Sequence, residues 1–141
     1  MIHIATGPVA LAMRDDWLPV LQKAIDDADG RWSAEQLLAD VETGKVIVWI
    51  VSSNVPHGTI RGVFTTRAIE SRVRWILVED CAGDALHEWI YEALHALEAW
   101  ARELGATQIV FEGRRGWERV LRGYGYETTR IQGVKRLENL N

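Results

Sequence analysis

Residues 86–104 constrain this chain more than any other stretch. Leu86, Trp89, Ile90, Ala93, Leu94, Leu97, Trp100, Ala101 and Leu104 recur at helical spacing, a single apolar stripe about five turns long. Gly105 ends it. The segments on either side, 72–79 and 108–111, carry the β-branched and aromatic residues of strands. A strand, a long helix and a second strand form a crossover, and a crossover of this kind predicts one parallel strand pair.

The remaining segments supply the rest of a sheet and its cover. A short strand is predicted at 1–5 and a helix at 10–28, with Leu11, Leu18, Leu21 and Ile25 on its apolar face. Pro19 marks a kink or a late start in that helix, because proline lacks the amide the helix would use. Asp29-Gly30 closes the segment. Ser33 reads as the N-cap of a second helix with Gln36 as its capping-box partner, and Gly44 as its stop. The period then changes. Val46-Ile47-Val48-Trp49-Ile50-Val51 is a continuous run typical of a strand buried on both faces. A turn at 54–58 carries Pro56, and 59–69 with 72–79 form an antiparallel pair joined near Glu70-Ser71. After 108–111 come a short helix at 117–121 and one or two strands within 126–137. The expectation is one domain over 1–141 of α/β (α+β) class. It has a mixed, mostly antiparallel sheet of six or seven strands, flanked by helices, with one long central helix.

Composition narrows the function classes. A net charge of −4 argues against broad nucleic-acid binding, and Arg114, Arg115, Arg119 and Arg122 form the one basic cluster. Cys81 is the single cysteine, so no intrachain disulfide forms. The segment MIHIATGPVALAMRDDW lacks the basic start and apolar run of a signal peptide, and no run reaches transmembrane length. The expected location is the cytoplasm. The seven tryptophans are spread along the chain and read as packing anchors.

The element order, with the segments 75–85 and 113–126, resembles the GNAT (N-acetyltransferase) superfamily. More narrowly, it resembles short GNAT-like proteins of phages and prophages. The shared features are Gly44 with Trp49, Thr65-Thr66, the Cys81-Ala82-Gly83 turn, Trp89, Trp100-Ala101 and Gly113-Arg114-Arg115-Gly116-Trp117. The resemblance implies an acetyl-CoA site. Its diphosphate would lie at the turn before the long helix, where exposed amides and the helix dipole favour an anion. The usual pattern is Gln or Arg, two residues, Gly, one residue, then Gly or Ala. Here Gly83 and Ala85 fit, and Asp80 stands in the first position. The implied cofactor-binding residues are Leu77, Val78, Glu79, Cys81, Ala82, Gly83, Asp84 and Ala85, with Asp84 read as the helix N-cap. Glu79, Asp80 and Asp84 would then form an acidic rim facing the diphosphate.

The same resemblance places Glu112, and second Glu79, as general bases at two strand ends that splay apart around the acetyl group. Aligning Gly125-Tyr126 to the family's Gly-aromatic dipeptide puts Leu121 where many members carry a tyrosine acid. Tyr124 is the nearest substitute. The implied partners are an amine substrate or a protein, with a second copy of the chain as a further candidate. A catalytically inactive accessory, virion or host-interaction protein of a phage is the alternative, which would place the chain in the host cytoplasm or the virion.

Other signals fail. His87-Glu88-Trp89-Ile90-Tyr91 begins like a zinc-protease motif but has Tyr91 in place of the second histidine. His87, Glu88, Tyr91, Glu92, His95 and Glu98 read as a solvated helix face. Cys81 has neighbouring carboxylates, which oppose a reactive thiolate.

Overall fold

The structure is a computed structural model describing residues 1–26, 33–53, 58–112, 115–129, 135 and 137. Its elements in chain order are β1 (Ile2–Ala5), α1 (Gly7–Ala12), α2 (Arg14–Asp26), α3 (Ala34–Glu42), β2 (Ile47–Ser53), β3 (Thr59–Glu70), β4 (Arg74–Gly83), α4 (Leu86–Glu103), β5 (Gln108–Phe111) and α5 (Arg115–Arg122). The five strands lie in the order β1-β2-β3-β4-β5. The first three pairings are antiparallel. The α4 crossover makes β4 and β5 parallel, as its length requires.

Helices cover both faces. The α4 stripe buries Trp89, Ile90, Ala93, Leu94, Leu97 and Ala101 against Trp49, Val51, Phe64, Ile76 and Val78. Trp100 is half-buried and meets Trp49 edge-on at 5.3 Å. Trp49 also stacks on Phe64, and its indole N–H donates to Thr66 Oγ1 at 2.9 Å. On the opposite face Trp17, Leu21 and Ile25 of α2 join Leu37 and Val41 of α3 against Val48, Ile50 and Val63. Trp17 is fully buried and donates to the Ala10 carbonyl at 2.8 Å.

Several expectations are corrected. The described residues form five strands rather than six or seven. Residues 126–129 are not strand, and most of 130–141 lies outside the described residues. The first helical segment divides at Met13, where the backbone leaves helical geometry, and not at Pro19, which sits exposed inside α2. Ser33 does cap α3, accepting from the Gln36 amide at 3.1 Å. The Gln36 side chain, however, donates to Asp40 at 3.3 Å instead of reaching back to close the box.

β4 does not end at Glu79 but continues to Gly83, paired with β3 through Phe64↔Cys81, Val63↔Ala82 and Gly62↔Gly83. That close pairing needs glycine twice. A Cβ on Gly62 would lie 2.5 Å from the Trp89 ring, and one on Gly83 would lie 2.3 Å from the Arg61 carbonyl.

Candidate functional site

The site begins with an irregularity in β4. Phe64 pairs with Cys81, but Thr66 pairs with Val78, so Thr65 alone faces both Glu79 and Asp80. This is a β-bulge, which re-aims side chains and breaks the alternation of the strand. Glu79 and Asp80 therefore line the same recess on the α2/α3 face. Cys81, the next residue, lines an apolar slot on the α4 face with Phe64, Leu94, Leu97 and Phe111.

The β4–β5 ladder ends in the same place. Val78 pairs with Phe111, and the Glu112 amide donates to the Val78 carbonyl at 3.2 Å. Beyond Val78 the β5-facing edge of β4 has no strand partner among the described residues. A polar recess, an apolar slot and an unpaired strand edge thus meet at one bulge.

The polar recess is built from Ile25 of α2, Ser33 with Gln36, Leu37 and Asp40 of α3, Arg67 of β3, and Glu79 with Asp80. Its cavity volume is about 10 Å³, room for about one water molecule. Arg67 lies at its centre. Its Nε donates to Glu79 at 2.7 Å and its Nη2 to Asp40 at 2.8 Å. The Arg67 hydrogen bond holds the Asp40 carboxyl below the usual carboxylate range.

Asp80 has a different environment. It is 8% exposed, and its nearest partner is Thr65, whose hydroxyl donates to Oδ2 at 3.5 Å while accepting the Asp80 amide at 3.3 Å. Burial raises its pKa, the Glu79 charge adds to this, and Thr65 opposes it. A carboxyl whose proton affinity is raised in this way is a stronger proton acceptor than an ordinary aspartate.

The turn into α4 is short. Ala85 is the N-cap in left-handed conformation (φ 47°), without a side-chain cap. That conformation is costly for a residue with a Cβ. The Trp89 indole N–H holds the turn by donating to the Asp84 carbonyl at 2.8 Å. Arg61 of β3 lies across the first turn, 3.3 Å from Asp84 and 3.1 Å from Glu88.

The structure brings together some of the residues expected from sequence and separates others. Cys81, Ala82 and Gly83 lie in a paired strand rather than a turn, continuing the strand of Leu77, Val78 and Glu79. Asp84 is not the N-cap; its exposed carboxylate pairs with Arg61. The acidic rim does not form, because Asp80 and Glu79 turn to the opposite face. Glu79 is not solvated, since its side chain is 8% exposed and ion-paired. Glu112 is exposed just past β5, and Arg114 lies outside the described residues. Tyr124 is 40% exposed and packs near Tyr91 on the α4 surface, away from the bulge residues. Leu121 is buried in the α4-side core. Burial pushes the Cys81 thiol up to about 12, so it stays protonated. Among the described residues no cluster of ligands could hold a metal, and no helix is long and apolar enough to cross a membrane. Arg61 and Arg67 had no sequence signal, because their partners lie on other elements.

Comparison with known structures agrees with this architecture. The chain is similar to a probable acetyltransferase (TM-score 0.74, 14% identity, 100% of this chain and 99% of the other covered). It is also similar to a ribosomal-protein-alanine N-acetyltransferase from Brucella melitensis biovar Abortus 2308 (0.71, 14%, 97% and 99%). A third is an aminoglycoside acetyltransferase from an uncultured soil metagenomic sample, in complex with sisomicin (0.63, 17%, 100% and 96%). No family model matches the sequence, and no curated protein matches it. At these identities the likeness shows the fold, which is the GNAT-like fold.

Proposed function

We propose that this chain is an acetyl-CoA-dependent N-acetyltransferase in which Asp80 is the general base. The observation that carries the reading is the β4 bulge, which turns Asp80 into a polar recess where the strand parts from β5.

The described residues suit the donor. The first turn of α4 has no side-chain cap, and with the Glu88 amide taken by the Ala85 carbonyl the Leu86 and His87 amides remain for a diphosphate. Arg61 supplies the cation that the motif position occupied by Asp80 lacks. The β4 edge past Val78 offers backbone groups to a pantetheine arm. When bound, acetyl-CoA supplies an acetyl thioester.

The acceptor is an amine entering from the α2/α3 face. Carboxylates outnumber cations among the described recess residues, so the recess favours a cationic amine over an anionic acceptor. The cationic amine first loses one proton to solvent; as the freed nitrogen forms its bond to the acetyl carbonyl carbon, the Asp80 carboxylate accepts a second proton from that nitrogen. The carbon–sulfur bond then breaks. Because Leu121 occupies the place of the tyrosine acid, the departing thiolate takes its proton from solvent. Glu79 is the poorer base because Arg67 holds it as an ion pair, and Glu112 is exposed outside the recess.

Acetyl transfer to a panel of primary amines, followed by release of free CoA, tests this reading. Wild type should turn over, and Asp80→Asn should lose about a hundred- to ten-thousand-fold in kcat. Full activity of Asp80→Asn would remove Asp80 from the chemistry. Leu121 favours a second reading, a GNAT-shaped phage accessory protein without transferase activity. Failure to bind acetyl-CoA would support it.

A further inference from the structure

Of the three carboxyls in the recess, Glu79 and Asp80 stand side by side in opposite environments, and the proposed chemistry uses only Asp80. We propose that Glu79 and Arg67 are positioning residues: Glu79 strengthens Asp80 as a proton acceptor beyond what burial alone does, and Arg67 sets how much of the Glu79 charge Asp80 feels. This inference rests on the reading of Asp80 as base.

The geometry carries it. In a regular strand, residues 79 and 80 would face opposite sides of the sheet. The bulge places both opposite Thr65 and in one recess. Glu79 is held by Arg67 at 2.7 Å, with its side chain 8% exposed. Arg67 is itself anchored to α3 through Asp40 at 2.8 Å. Arg67 is thus divided between two carboxylates, and Asp80 is bonded to neither Arg67 nor Asp40 by any described contact.

The charged groups facing Asp80 are therefore few. Glu79 comes from its own strand, Arg67 from β3 and Asp40 from α3, while α2 contributes only the apolar Ile25 among the described residues. Two opposed influences follow. The Glu79 carboxylate disfavours a second negative charge beside it, and Arg67 offsets that repulsion. A base in this setting is stronger than an isolated aspartate, and its partner is held in place by Arg67. The coupling also crosses elements: a shift of α3 that loosened Asp40 would change the share of Arg67 left for Glu79.

Carboxyl carbon NMR on the full chain tests the inference, with the Asp80 resonance assigned by its loss in Asp80→Asn. In Glu79→Gln the Asp80 titration midpoint should fall by about one pH unit, and in Arg67→Met it should rise by a similar amount. The acid limb of the kcat/KM profile should move with it. Amide spectra report whether each variant keeps the fold, and if Arg67→Met does not, the near-isosteric Glu79→Gln decides alone. An Asp80 midpoint unmoved in Glu79→Gln, or moved the same way in both variants, overturns the proposal. If the midpoints move as stated but Asp80→Asn retains activity, the coupling stands and the assignment of the base falls.

Discussion

Arg61 provides a sharp test of the donor site because two substitutions around it should have opposite effects. Its guanidinium lies 3.3 Å from Asp84 and 3.1 Å from Glu88, beside the uncapped start of α4. Both carboxylates are well exposed, with side-chain accessibilities of 77% and 58%. Exposed pairs of this kind contribute only about 0.2–1 kcal/mol each, so exchanging one for a diphosphate costs little. A charge-assisted hydrogen bond to the diphosphate contributes about 1.5–3 kcal/mol. Arg61→Gln should therefore weaken CoA binding roughly ten- to a hundredfold, since each 1.4 kcal/mol is about tenfold. Glu88→Gln removes a competitor for the same cation and should tighten binding by about two- to fivefold, the equivalent of the exposed pair it releases. Isothermal titration with CoA measures both, at two salt concentrations. The slope of log affinity against log salt should be shallower for Arg61→Gln, because one fewer charge contact is made. If Arg61 merely tied β3 to α4, both variants would lower the melting temperature and neither would change affinity. That outcome refutes the assignment.

Two further predictions follow from the core and the recess. Asp80→Asn should raise the melting temperature at neutral pH even as it lowers turnover. The folded pKa of Asp80 is raised, so the stability of its neutral form is present below the unfolded value and lost as pH rises through the folded one. Asparagine has no such loss, and the gain should vanish in acid; a gain that persists there contradicts the sign. Trp49→Phe leaves the Thr66 hydroxyl, 1% exposed, without its partner, and should cost about 2–3 kcal/mol in urea unfolding. Adding Thr66→Val should restore about 1 kcal/mol, whereas simple additivity of the two losses would show that the bond does not matter.

The long helix and the parallel pair were legible because nine apolar residues repeat at helical spacing between two strand-like runs, and local pattern decides such elements. The Ser33 cap was legible for the same reason, since its partner lies three residues away. The end of β4 was not. Asp80-Cys81-Ala82-Gly83 has the composition of a turn, but pairing with 62–64 overrides that preference. The bulge follows from register between two strands, which no single segment encodes. For that reason Asp80 was assigned by position to the cofactor motif, when its side chain lies on the opposite face. Arg67 and Arg61 were invisible for the same cause: Arg67 reaches Asp40 and Arg61 reaches Glu88, each across 27 residues of chain.

The central claim is that the uncapped α4 turn and the β4 edge past Val78 form a donor site for acetyl-CoA. Calorimetric titration of the wild-type chain with acetyl-CoA tests it most directly. The account predicts a saturable one-to-one isotherm with a dissociation constant between about 1 μM and 1 mM, the usual range of enzyme–substrate affinity, lost or weakened in Arg61→Gln. No binding at roughly millimolar acetyl-CoA, from a chain whose amide spectrum shows it folded, would contradict it.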